Sequence, residues 1–389
     1  MQRKRVLVAH PYLHSSGGGN LVAAWALEAL RDEFDVTLAT LGGVDCAALN
    51  RNFATSLRLD DFAVRVAPLP YQTALRCLPT AGALWQICLT MRWAQDLDRR
   101  ERFDVLLSTQ NEMDFQRCGL EYVHFPWVYL PRPDIELRWF HRIPGFLAAY
   151  RGACRLAARS SNEGLRRNLS LANSAFVAGK IREVHGIESV ILYPPVPGEF
   201  PDIPWERKRP GVVAAGRMNP CKRWGMAVTI MDLLRRGGVE LSMTLIAQPD
   251  DADYGRRIAA LADSRPWFRI LWNLSREQLA REMAAHRYGI HTMENEHFGI
   301  AVAEMLRAAV IPFVHDSGGP VEIVDGRAEL LFREQAEAAG KIAAVVANPA
   351  LERELFAFVL ARRNCFSVER FTDALRNLAR NFAESSIEA

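Results

Sequence analysis

Residues 6–40 read VLVAHPYLHSSGGGNLVAAWALEALRDEFDVTLAT, and the order of patterns within them decides the fold. Residues 6–9 form a short β-branched apolar run that stops at His10-Pro11, as a buried strand stops at a turn. Residues 15–20 form a loop with three consecutive glycines, Gly17, Gly18 and Gly19. Residues 21–30 have the apolar content of a buried helix and are closed by a charged stretch. Residues 35–40 (DVTLAT) read as a second strand. Strand, glycine loop, helix and strand are the opening of a doubly wound α/β domain.

The same reading extends outward. Residues 103–108 (FDVLLS), 122–125 (YVHF), 169–174 and 190–193 are expected to be later strands of this sheet. Residues 193–210, YPPVPGEFPDIPWERKRP, are dense in proline, which blocks helix and central strand alike. They read as an inter-domain linker, with the boundary near residue 197. The pattern then restarts. Residues 211–215 (GVVAA) form a strand ending in Gly216-Arg217, a helix runs from about 223 to 236, and residues 241–247, 268–271, 288–291 and 311–315 are further strands. Residues 368–384 are helical. The expected organisation is two Rossmann-like domains, 1–197 and 198–367, with a C-terminal helix over 368–389. Ligands of open α/β sheets sit beyond the carboxyl ends of the strands, so two such domains facing each other would share a cleft.

Composition narrows the classes of function. The chain has 389 residues, 49% hydrophobic and 24% charged, with a net charge of +3. That is ordinary for a globular protein of about two domains. A nucleic-acid binder would carry a stronger basic bias and a reading motif, and neither is present. The seven cysteines, Cys46, Cys77, Cys88, Cys118, Cys154, Cys221 and Cys365, include no Cys-x-x-Cys pair and no zinc-ligand spacing. They are expected to be reduced and buried, and no metal is expected. The apolar run after the basic start MQRKR is too short for a secretory leader. No stretch reaches the roughly 18 apolar residues that span a bilayer. A cytosolic protein is the expectation.

Five segments carry chemistry. In Glu294–Glu304, ENEHFGIAVAE, a loop with Glu296 and Gly299 leads into a helix with Glu304. A helix start presents free N–H groups and suits an anion, glycine allows close approach, and a carboxylate in the helix can accept from ribose hydroxyls. In residues 216–223, GRMNPCKR, Arg217 and Lys222 follow a strand, and two such cations can clamp a diphosphate. The glycine loop at 17–19 can cradle a phosphate or sugar, although it is neither a dinucleotide fingerprint nor a P-loop. His124 closes a strand, where it can hydrogen-bond a sugar or phosphate. Residues 316–320 (DSGGP) form a strand-terminal turn beside the expected donor pocket. Taken singly, each segment reads equally well as an ordinary loop, turn or structural histidine.

Together they resemble the family-4 glycosyltransferases, which are retaining enzymes of the GT-B fold. Glu296, Phe298, Gly299 and Glu304 meet that family's Glu-x-Phe-Gly-x-x-x-x-Glu pattern, and Arg217 and Lys222 meet its Gly-Arg and following Lys. The likeness runs from the glycine loop to the Phe-Ser-x-x-x-Phe of residues 366–371. The stretches YVHFP, LANSAF, ILYPPV, NEHFGIAVAEM and HDSGGPVEIV are similar to the eukaryotic α-1,2-mannosyltransferases of the dolichol-linked oligosaccharide pathway. The sequence departs from them at its N-terminus, where they carry a membrane anchor, and at Trp127-Val128, where they have small polar residues.

The resemblance implies roles. Arg217 and Lys222 would hold the donor diphosphate and Glu304 the ribose. Glu296 and the backbone of Phe298, Gly299 and Ile300 would hold the hexose. Asn273 and Leu274 would sit near the base, Gly18 and Gly19 near the diphosphate and acceptor, and His124 would face the donor sugar. The C-terminal helix would cross back to the N-terminal domain. The implied donor is a nucleotide diphosphate sugar, GDP-mannose by preference, with a lipid-linked or glycan acceptor and no cofactor. A catalytically inactive GT-B scaffold and a nucleotide-sugar epimerase remain alternatives.

Residues 137–167 carry seven arginines, Arg138, Arg142, Arg151, Arg155, Arg159, Arg166 and Arg167, and one acidic residue, Glu163. Trp139, Phe140, Phe146, Leu147 and Tyr150 lie among them. A second apolar stretch holds Leu84, Trp85, Ile87, Leu89, Met91 and Trp93. Basic and aromatic residues together suit an anionic membrane face, so peripheral contact with the cytosolic leaflet is expected; a core helix with a solvated edge fits the same pattern.

Overall fold

The computed structural model describes residues 3–14, 16–77, 83–129 and 143–385. The chain divides into two compact units, Met1–Pro195 with Val368–Ala389, and Val196–Ser367.

The first unit is built on a parallel sheet of seven strands, β1 (Arg5–Ala9), β2 (Asp35–Thr40), β3 (Ala63–Val66), β4 (Val105–Ser108), β5 (Leu120–Val123), β6 (Leu169–Ala172) and β7 (Val190–Ile191). Their spatial order is β3-β2-β1-β4-β5-β6-β7, so the order reverses between β1 and β4. Val6, Leu7, Val8 and Ala9 are fully buried, as expected of a strand covered by helices on both faces. Parallel pairing aligns Val6 with Val36 on one side and with Val105 on the other.

Two strands of the molecule carry no readable signal. β3 is a four-residue edge strand, AVRV, half-buried or exposed throughout. β13, in the second unit, is two residues long. β3 has no continuous buried run, and β13 is too short to show a strand pattern. Elsewhere the differences lie at boundaries. The strand expected at 122–125 begins at Leu120 and ends at Val123, so His124 belongs to the turn beyond it.

The helix Val368–Ser385 completes the first unit. Phe371, Leu375, Ala379 and Ala383 recur every fourth position and are buried. That spacing aligns one apolar stripe. The stripe packs along the helix Gly18–Leu30. Arg376 Nε donates to the Ala29 carbonyl at 2.6 Å, and Arg380 pairs with Glu33 at 2.9 Å.

The second unit holds β8 (Arg209–Arg217), β9 (Ser242–Gln248), β10 (Phe268–Trp272), β11 (His286–His291), β12 (Ile311–His315) and β13 (Leu331–Phe332). All pair parallel, in the order β10-β9-β8-β11-β12-β13, and the order reverses between β8 and β11. Lys208 is buried at the foot of this sheet. Its ammonium donates to the carbonyls of Ala284 and Ala308, at 2.6 and 2.9 Å. Both carbonyls end helices, where a cation is favoured by the unpaired backbone oxygens. Burial lowers this lysine to about 8.

Candidate active site

In an open parallel sheet the loops diverge where strand order reverses, and the opening lies beyond the strands' carboxyl ends. In the second unit that point is flanked by the loops after β8 and β11. Arg217 ends β8 and the loop after it carries Lys222 and Arg223; the loop after β11 carries Glu294 and Glu296. Lys222 and Glu296 form an ion pair across it, each side chain about one-sixth exposed, at 15% and 16%. The Thr292 hydroxyl fixes the backbone of Lys222 by donating to its carbonyl at 2.7 Å. His291, the last residue of β11, places Nε2 3.4 Å from the Glu296 carboxylate. Burial raises the pKa of Glu296, but Lys222 and His291 outweigh it and bring the group down to about 2. Burial, reinforced by Lys222, lowers His291 to about 3. At neutral pH the site therefore holds a cation, a carboxylate and an uncharged imidazole.

A second set of contacts braces this loop from the side. Arg223 pairs with Glu294, and His315 Nε2 lies 3.5 Å from the same carboxylate. The Ser317 hydroxyl accepts from the Asn295 amide at 2.8 Å, and the Gly319 amide donates to the Glu296 carbonyl at 2.8 Å. A Cβ on Gly318 would lie 2.3 Å from that carbonyl, and one on Gly319 would lie 2.5 Å from Phe298 Cα. The 316–320 turn is thus pressed against the loop with no room for a side chain. Arg223 and Asn295 hold left-handed backbone, at φ of 53° and 50°. Such conformations concentrate where surrounding structure fixes a loop for a purpose.

Gly299 starts the helix Ile300–Arg307 at φ 103°, a conformation open to glycine and costly to other residues. The Phe298 side chain is buried against Phe366, ring to ring at 5.4 Å. Glu304 is buried on the helix and paired with Arg276. Arg217 is half-exposed, 3.1 Å from Asp250, which also accepts from Asn219 at 3.1 Å. Asn273 is exposed and Leu274 half-buried, just past β10.

The first unit gathers its own cluster where its strand order reverses. Asn20 closes the glycine loop. Its amide nitrogen donates to the Ser16 carbonyl at 2.6 Å, and its oxygen accepts from the His14 amide at 3.2 Å and faces His10 Nε2 at 2.9 Å. His10 Nδ1 lies 3.0 Å from the Thr109 hydroxyl. Gly17 holds φ 89°, and Gly18 and Gly19 begin the helix Gly18–Leu30. A Cβ on Gly19 would lie 3.1 Å from the Gln110 side-chain oxygen and 3.4 Å from His124 Nε2. His124 Nε2 faces the Thr109 carbonyl at 3.1 Å, which assigns the ring proton to that nitrogen. Nδ1 is left as an acceptor with no partner among the described residues. Burial lowers His124 to about 4, so the ring is neutral. Asn111 accepts from the amides of His124 and Phe125, at 2.8 and 3.1 Å, and holds this turn.

Lys222 and Glu296 are therefore brought together in the second unit, and Gly19 and His124 in the first. Sequence reasoning missed His291, Arg276, Asp250, Asn111 and Gln110. A polar residue at the carboxyl end of a buried strand was the available signal for His291; Asp250 on its loop and Arg276 at a helix start look like ordinary solvated positions.

The membrane expectation is partly corrected. Leu84, Ile87, Leu89, Met91 and Trp93 are core residues of the helix Ala83–Glu101, between 1% and 5% exposed, because their spacing fills both flanks of a helix covered by its neighbours. Arg138, Trp139, Phe140 and Arg142 lie outside the described residues. In the helix Phe146–Ala158, Phe146 and Leu156 are exposed, the latter at 81%, and Ile143 just before it at 48%. No helix among the described residues is long and apolar enough to cross a membrane. Nor does any group of three or more His, Cys, Asp or Glu side chains among them stand ready for a metal. The cysteines are less buried than expected: Cys88 and Cys154 are in the core, but Cys118 is exposed.

Residues 198–356 match the family model described as Glycosyl transferases group 1. Residues 198–356 are thus similar to a group 1 glycosyltransferase domain. Among curated proteins the chain is similar to the mouse GDP-Man:Man(3)GlcNAc(2)-PP-Dol alpha-1,2-mannosyltransferase, 30% identical over 207 residues, which is 47% of this chain and 41% of the relative. The human protein of the same description is 30% identical over 203 residues, again 47% and 41%. The match thus spans less than half the length of these relatives. Among solved structures, Anabaena HepE in complex with UDP and glucose superposes with a TM-score of 0.66 at 16% identity, over 97% of this chain and 100% of that one. WaaG, a glycosyltransferase involved in lipopolysaccharide biosynthesis, gives 0.66 at 12% identity over 96% and 99%.

Proposed function

We propose that this chain transfers a hexose, mannose by preference, from a nucleoside diphosphate to a lipid-linked or glycan acceptor, with retention at the anomeric carbon. GDP is the preferred carrier. The observation that carries the reading is the Lys222–Glu296 pair at the strand-order reversal of the second unit, beside a helix started by Gly299.

Arg217 and Lys222 meet the leaving diphosphate. Fixed cations beside the leaving group stabilise the charge that develops as the bond breaks, so these side chains can serve the step without a metal. Glu296, fully ionised, and the Phe298, Gly299 and Ile300 backbone orient the hexose. An ionised carboxylate held by Lys222 has no proton to give, which suits orientation rather than acid catalysis. Glu304 receives the ribose, and Asn273 and Leu274 border the base. His124, neutral and with Nδ1 free to accept, faces a sugar hydroxyl; Gly17, Gly18 and Gly19 form the loop for the diphosphate and acceptor. The bond from the anomeric carbon to the diphosphate oxygen breaks. The acceptor oxygen bonds to the same face, and its proton passes to the departing phosphate oxygen. The protein contributes orientation and charge stabilisation.

The exposed Ile143, Phe146 and Leu156, beside Arg155, support peripheral contact with an anionic bilayer, where a lipid-linked acceptor would reside. The reading is tested by following GDP release from GDP-mannose in the pure protein, with and without chelator. Release abolished by Lys222→Ala and indifferent to chelator supports it. No release with any nucleotide sugar would move the chain to the inactive-scaffold class.

A further inference from the structure

Arg276 has no part in the roles above, yet it touches the group given to the ribose. It is the first residue of the helix Arg276–Ala284, directly after the capping Ser275. Its Nη1 pairs with Glu304 Oε1. Its Nη2 donates to the Pro197 carbonyl at 2.6 Å. Its Nε is buried without a partner and lies against Gly198, where a Cβ would stand 3.2 Å away. Gly198 holds φ 91°, the turn that delivers the Pro197 carbonyl to the guanidinium. Phe200 lies between two arginines, 5.7 Å from Arg276 and 5.8 Å from Arg307. Arg307 in turn donates to the Val196 carbonyl at 2.5 Å. Two guanidiniums thus fasten the entering segment, residues 196–200, to the helices that carry Arg276 and Glu304.

The consequence falls on Glu304. A carboxylate on a helix turns freely about its last bond, and either oxygen can serve a ligand. Here one oxygen is taken, and Oε2 has no hydrogen-bond partner among the described residues. A planar guanidinium that grips a carboxylate and a carbonyl at once sets the orientation of both. We propose that Arg276 is a positioning residue for the nucleotide's sugar. It turns Glu304 so that Oε2 accepts from a ribose hydroxyl, and it makes the fit depend on the geometry of residues 196–200. This rests on the reading of Glu304 as the ribose-binding group.

The experiment compares GDP with 2′-deoxy-GDP and 3′-deoxy-GDP by calorimetry on the full chain. A hydroxyl bonded to a carboxylate should make at least one deoxy form bind about ten-fold more weakly or worse. Glu304→Gln should shrink that ratio. Arg276→Met should shrink it as far, and the double variant should add nothing further, because the two residues act as one unit. Arg276→Lys retains a cation beside Glu304 but cannot also hold Pro197, and should fall between. If Arg276→Met lowers the melting point into the working range, the intermediate ratio expected of Arg276→Lys carries the test. A ratio reduced in Glu304→Gln but unchanged in every Arg276 variant overturns the proposal. A ratio unchanged in Glu304→Gln instead overturns the ribose assignment beneath it.

Discussion

Lys222 and Glu296 stand 74 residues apart in the chain, on the loops after β8 and β11, and pair across the point where the second sheet reverses its strand order. Nothing in their sequence spacing brings them together; the parallel order of the two strands does. The pair sets the charge state of the site, because Lys222 offsets the burial that would otherwise favour a protonated Glu296.

Lys222→Ala should lower the transfer rate by a hundred-fold or more, on the order of 3 kcal/mol of lost charge stabilisation. It should also leave Glu296 without its cation and cost about 1–3 kcal/mol of folding stability. Lys222→Arg should recover stability better than rate. Urea melts beside turnover measurements separate the two effects. Wild-type turnover in Lys222→Ala would remove this residue from the mechanism.

Gly319→Ala should damage the donor site through its backbone. The added carbon meets Phe298 Cα and the His297 carbonyl, neither of which can swing aside. A cost of about 1–3 kcal/mol in stability is expected. Nucleotide affinity should fall further than in Gly340→Ala, a helical position with open space around it. Equal affinity in the two variants would contradict the placement of the turn.

Stability should peak between two opposing titrations. Burial lowers His10 and His286 to about 4 and His291 to about 3, from 6.5 in the unfolded chain. Between those values the unfolded chain binds protons that the folded chain does not, so stability is lost as pH falls from about 6.5 toward 4. Glu121 has the opposite sense. Burial, reinforced by Glu112, raises it to about 8, so the folded chain keeps a proton that the unfolded chain releases above 4.5. Its contribution shrinks as pH rises to 8. From pH 6.5 to 8 the loss should be about 2 kcal/mol. Glu121→Gln, which copies the neutral acid, should flatten that limb in urea melts taken across the range. A limb that persists would place its origin elsewhere.

Peripheral membrane contact should depend on Leu156, the most exposed large apolar side chain among the described residues of the first unit. Co-sedimentation with anionic vesicles at low salt should fall several-fold in Leu156→Ser and remain unchanged in Leu360→Ser, an exposed leucine of the second unit. Equal loss, or no binding at all, would sink the membrane role.

The α/β framework was legible because buried parallel strands are continuous apolar runs, and residues 311–315 were bounded correctly on that signal alone. β3 escaped because its residues are half-buried or exposed, and β13 because two residues carry no pattern. At the site, Lys222, Glu296 and Gly299 were legible from loops that follow strands. Their partners were not, since pairing across a sheet depends on strand order. Arg276 illustrates the limit: in NLSREQL it reads as a solvated helix start, and only the turn at Gly198 shows what it holds. The surface reading of residues 84–93 failed because a basic residue beside an apolar run does not say which face is covered.

The most direct test is thermal stabilisation by GDP, UDP, ADP and TDP and their sugars, with and without a divalent metal. A ligand at about a hundred times its Kd should add about 2.7 kcal/mol, a clear rise in Tm. The account expects a rise with one base, GDP first, independent of metal and lost in Lys222→Ala. No rise with any nucleotide would contradict it, and the roles given to Arg217, Lys222 and Glu296 would fall together.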